Sequence, residues 1–148
     1  MRKNRGFTVI ELVVALAIGA ILLALVTLGG NRALAQRSLN TASMELEGAL
    51  RNARQAAPNA GGAQVLFQEA TPTSKGNWQV LVGTRLTHRR EMDRDLQVTL
   101  SPPSPSEIEF TGSGTLAADR QVTLSSSATG SSVRWKIHAS TGAVERLP

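Results

Sequence analysis

The sequence predicts an α+β fold, a long N-terminal helix packed on a small antiparallel β-sheet domain. Two changes of pattern along its 148 residues carry that expectation. An apolar run with a single charge passes into a helix-periodic amphipathic stretch, and from Ala63 the period drops from about 3.6 to 2 residues. A chain of this length suits one ordinary domain with an appendage.

The first element runs from Phe7 to Gly30, where Glu11 is the only charged residue. As a helix these residues would extend about 36 Å, against a hydrocarbon core of about 30 Å. That predicts a membrane-spanning segment. The basic hexapeptide ahead of it (MRKNRG) predicts a cytoplasmic N-terminus, with everything after Gly30 on the far side of the membrane. The competing reading is a cleaved signal peptide, cut after Ala33-Leu34-Ala35 to leave Gln36 first on a soluble exported β domain. An apolar run longer than the usual ~7 to 15 residues, with a carboxylate near its start, opposes it.

Glu11 is the most informative residue. An ionised carboxylate in a membrane helix costs about 2.5 to 3.5 kcal/mol even on the lenient insertion scale. Either it reaches back to the headgroups, lying about 6 Å of helix rise beyond Phe7, or it meets a positive partner.

The second element is an amphipathic continuation over residues 31–58. Leu34, Leu39, Ala42, Leu46, Ala49, Leu50 and Ala53 form its apolar stripe, set against Arg37, Glu45, Glu47, Arg51 and Arg54. Gly29-Gly30 marks an expected weak point before it, and Pro58 with Gly61-Gly62 ends it. The stripe is expected to pack on the domain that follows.

That domain, residues 63–148, reads as six short half-buried strands. They carry Val65 and Phe67; Trp78, Val80 and Val82; Leu96, Val98 and Leu100; Ile108 and Phe110; Val122 and Leu124; and Val133, Trp135 and Ile137. A seventh is expected near Ala143 to Leu147. Turn-forming stretches separate them, including Thr71 to Asn77 and the proline-rich Ser101 to Ser106.

Composition narrows the chemistry. With no cysteine there is no disulfide, thiolate zinc site or cysteine nucleophile. The two histidines, His88 and His138, lie fifty residues apart, and no spacing suggests a metal site. No GxSxG elbow or phosphate-cradling glycine loop occurs. The chain therefore reads as non-enzymatic, with no metal and no cofactor. The net charge of +5 is partly a leader effect. Arg2, Lys3 and Arg5 account for three of 16 basic residues, leaving 13 against 11 acids. The densest cluster, Arg85 to Asp95, interleaves four arginines with Glu91, Asp93 and Asp95, and is expected to be a solvated, self-paired loop.

Arg5-Gly6-Phe7-Thr8-Val9-Ile10-Glu11-Leu12 resembles the type IV prepilin processing motif: a basic leader ending in glycine, then phenylalanine, an apolar run and glutamate. The resemblance implies a leader of residues 1–6 cut between Gly6 and Phe7 by prepilin peptidase, which also N-methylates Phe7. It implies a transmembrane and assembly helix over 7–30. Glu11 would pair with the methylated terminus, at Phe7, of the neighbouring subunit.

The Glu-Leu-Xaa-Xaa-Ala-Leu-Arg-Xaa-Ala-Arg run containing Glu47, Leu50, Arg51, Ala53 and Arg54 is similar to the minor pseudopilins of the general secretion pathway protein H and FimT group. So is the close at Ser140 to Val144. Membership would make the protein a minor subunit of the type II secretion pseudopilus, near its tip. It would sit in the bacterial inner membrane and then in a periplasmic fibre. Its implied partners are other pseudopilins, the peptidase and N-methyltransferase, the inner-membrane secretion platform and membrane lipid.

FimT-like pilins also suggest DNA uptake through a GRxR pattern. Here the matching stretch, Gly142 to Arg146, has one arginine beside Glu145. Nucleic acid could then be met only through a patch of Arg120, Arg134, Lys136 and Arg146.

Overall fold

The computed structural model of the chain describes residues 8–71 and 73–148, with the side chains of 25–29 outside the description. One helix, α1, spans Val9–Ala60. Eight strands follow: β1 Gly62–Gln68, β2 Asn77–Val82, β3 Arg85–Glu91, β4 Leu96–Ser101, β5 Glu107–Thr111, β6 Arg120–Ser126, β7 Ser132–Ile137 and β8 Val144–Leu147. The chain divides into two compact units, Met1–Leu34 and Ala35–Pro148, each described by itself.

The helix includes Gly29 and Gly30, so the expected weak point is not a break. Two glycines cost a helix only about 1 kcal/mol each relative to alanine. Pro58 likewise sits inside the last turn, and the helix stops at Ala60, before Gly61 at φ +74°. Among the described residues, no helix is long and apolar enough to cross a membrane. The expected spanning run is described with side chains only from Thr8 to Ala24 and at Gly30.

In the second unit the amphipathic stripe packs as its period predicts. Leu39, Ala42, Leu46, Ala49, Leu50, Ala53 and Ala57 are buried in one core with Val65, Trp78, Ile108, Phe110, Val122, Leu124, Trp135 and Ile137. Leu34, placed on the same stripe by sequence, is 65% exposed. It is the last residue of the first unit.

The β domain is two antiparallel four-stranded sheets, ordered β3-β2-β1-β5 and β4-β6-β7-β8. All six expected strands form, and the seventh forms as β8. The eighth corrects an expectation: Arg85 to Glu91 is not a loop but edge strand β3, paired with β2. Gly83, at φ +60°, makes the tight turn between β2 and β3. Among the described residues, the charges of Arg85 to Asp95 do not pair among themselves either. Arg90 reaches the helix at Glu45, 2.5 Å away, while Asp93 accepts from Ser38 and Asp95 from Ser126.

Because β4 and β5 belong to different sheets, residues 102–106 carry the chain across, and Arg120 holds that crossover. Its guanidinium donates to the carbonyls of Ser104, Pro105 and Glu107, at 3.2 Å for the first and 3.1 Å for the last. Only 7% of Arg120 is exposed, so these acceptors stand in for water around a buried cation. Trp135 ties the second sheet to the helix by donating its indole N–H to Glu47 Oε2 at 3.2 Å.

Candidate functional site

The sequence places its candidate site at the N-terminal end of the helix. Gly6 and Phe7, the expected processing pair, lie outside the described residues. Glu11 lies within them, in the first turn of α1. Thr8 precedes the helix, and its backbone N–H and hydroxyl both donate to Glu11 Oε2 at 2.9 Å. In return Glu11 N–H donates to Thr8 Oγ1 at 3.3 Å. This reciprocal box satisfies N–H groups that a helix start leaves without intrahelical partners. Glu11 Oε1 takes no hydrogen bond among the described residues. Ile10, Val14 and Ile18, spaced by four, share the face beside Glu11 and Ala15, and Ile10 is 72% exposed.

The basic residues that sequence left open as a nucleic-acid patch do not converge. Arg120 is buried among carbonyls. Lys136 Nζ pairs with Asp119 at 3.2 Å. Arg134 donates to the Pro148 carbonyl at 2.9 Å. Arg146 stands opposite Trp135, on the other face of the sheet from Arg134 and Lys136. His138 bonds Glu145 at 2.9 Å, and His88 faces solvent on β3. Among the described residues no group of three or more metal-ligating side chains comes together.

Around that terminal turn, Asp119 accepts the backbone N–H of Ala139 at 2.8 Å and faces Lys136. The Ala139 hydrogen bond first, then Lys136, holds its carboxyl below the usual aspartate range.

Residues 1–27 match the prokaryotic N-terminal methylation motif. The structure is similar to that of the type IV minor pilin FimU of Pseudomonas aeruginosa, in two crystal forms. The first superposes with a TM-score of 0.60 at 18% identity, covering 76% of this chain and 90% of that one. The second gives 0.58 at 17%, covering 74% and 93%. The fold is pilin-like. None of the curated proteins matches the chain. This pilin-like chain thus carries an N-terminal methylation motif, and the residues matched to it, 1–27, include Gly6, Phe7 and Glu11.

Proposed function

We propose that the chain is a minor, non-catalytic subunit of a type II secretion pseudopilus, made as an inner-membrane precursor with its N-terminus in the cytoplasm. Cleavage between Gly6 and Phe7 and methylation of Phe7 leave an α-amino group that is cationic at neutral pH. The observation that supports this most is the methylation motif over residues 1–27, on a chain whose remainder folds like a minor pilin.

Physics supplies the role of Glu11. It is the one charge between Phe7 and Gly30, and in hydrocarbon it needs a partner. Thr8 occupies Oε2 and leaves Oε1 open to the terminal amine of the neighbouring subunit. A charge pair in low dielectric is strongly attractive at contact, and removing one member leaves the other unpaired at high cost. Glu11 thereby fixes the register of one subunit on the next. The segments Thr71 to Asn77 and Ser101 to Ser106 are the surfaces offered to neighbouring tip subunits or to cargo.

The test is incorporation of Glu11→Ala and Glu11→Gln into fibres in the native host. Both precursors are expected to be cut as the wild type is, and to enter the fibre poorly. Wild-type incorporation of either would overturn the pairing.

A further inference from the structure

The sheet β3-β2-β1-β5 has one face on the core and, among the described residues, one whose side chains are mostly half-buried or exposed. Val65, Trp78, Val80, Ile108 and Phe110 point inward and are buried. The alternate positions form cross-strand rows on the other face, two of which run across all four strands, while a third, Glu91, Asn77, Gln68, stops at β1. One row reads Arg89, Gln79, Leu66, Glu107, and the next reads Leu86, Leu81, Gln64, Glu109. Leu66 and Leu81 are half-buried, and Leu86 is 51% exposed.

This face is charged in opposite senses at its two ends, about 14 Å apart over three strand spacings. Arg89 stands at the β3 edge, where it lines a cleft of about 760 Å³ with Lys75, Arg94 and one acid, Glu91. Glu107 and Glu109 stand at the β5 edge. Among the described residues, none of the Arg89, Glu107 and Glu109 side chains is in an ion pair.

We propose that this face pairs with the same face of a second copy of the chain. Charge decides the geometry. A twofold axis parallel to the strands lays β3 of one copy over β5 of the other, so that each Arg89 meets Glu107 of the second copy. An axis across the strands would stack arginine edge on arginine edge, which like charges disfavour. The same parallel axis sets Leu66 of one copy over Gln79 of the other, and Leu81 over Gln64. At the centre of the interface leucines of the two copies then alternate, each filling the gap beside the other's glutamine. Such an interface is isologous and closes at two subunits.

The flat area of four short strands is on the order of 300 Å² a side, well below the ~800 Å² of a standard interface, so the pair is weak and salt-sensitive. It does not depend on how the N-terminal segment is read.

Among the described residues, 35–148 hold every buried core residue, from Leu39 to Val144, and form a compact unit of their own. Sedimentation equilibrium of that fragment up to millimolar concentration tests the pairing. A reversible monomer–dimer equilibrium is expected, weakened at least tenfold by Arg89→Glu or by Glu107→Arg, and restored when both reversals are combined. Circular dichroism of each variant separates lost pairing from lost fold. A wild-type fragment that stays monomeric overturns the proposal. So do growth beyond the dimer, which would mean edge-to-edge addition, and a dimer indifferent to both charge reversals.

Discussion

Thr8 and Glu11 close a hydrogen-bonded box at the start of α1, with two donors of Thr8 on one carboxylate oxygen and the Glu11 amide on the Thr8 hydroxyl. Glu11 therefore serves its own helix. Losing such a cap costs a helix about 0.5 to 2 kcal/mol. Thr8→Ala is expected to speed amide exchange at Ile10 to Val13 in detergent micelles, while Thr8→Ser leaves it near wild type. Equal exchange in all three would show the box to be unimportant.

Arg120 is a buried cation whose partners are carbonyls. Arg120→Met strips those carbonyls of donors, at about 1 to 3 kcal/mol for each buried group left unsatisfied. Arg120→Lys keeps the charge but loses the planar fork. Both are expected to lower the melting temperature of residues 35–148, methionine more than lysine. An unchanged transition in Arg120→Met would remove the crossover clamp from the account.

The two tryptophans differ in one atom's fate. Trp135 Nε1 donates to Glu47, whereas Trp78 Nε1 is buried with no acceptor among the described residues. Substitution by phenylalanine trims the same volume at each site but breaks a hydrogen bond only at Trp135. Trp135→Phe is expected to destabilise residues 35–148 by about 1 to 3 kcal/mol more than Trp78→Phe, read by urea unfolding. Equal losses would contradict this.

Asp119 gives the fold an acid limb. Its carboxyl is held below the ordinary value near 3.8, so it favours the folded state above that pH. The contribution fades as pH falls through the lower folded-state value. Melting temperatures of wild type and Asp119→Asn should differ at pH 6 and converge toward pH 2. A gap that stays constant across that range would exclude Asp119 as the source.

Much of this architecture was legible because burial imposes a period. Leu39 to Ala53 recur at helical spacing since one face meets a sheet, and Val122, Leu124, Val133, Trp135 and Ile137 alternate since one face meets the core. Strand β3 escaped because it is an edge: six of its seven residues are exposed, so alternation has no burial to report. Arg120 misled by chemistry, reading as a surface cation, although it shares the inward phase of Val122 and Leu124. The split into two sheets was not legible either, since β1 pairs with β5 some forty residues away. At the candidate site, the Thr8-Xaa-Xaa-Glu11 spacing carried a capping signature as well as a processing one.

The central claim is that this chain is processed as a prepilin. The most direct test is the intact mass and N-terminal peptide of the protein purified from its native host. The account predicts a mature chain that begins at N-methylated Phe7, with residues 1–6 removed. A chain that begins at Gln36, or that retains Met1 to Gly6, would contradict it.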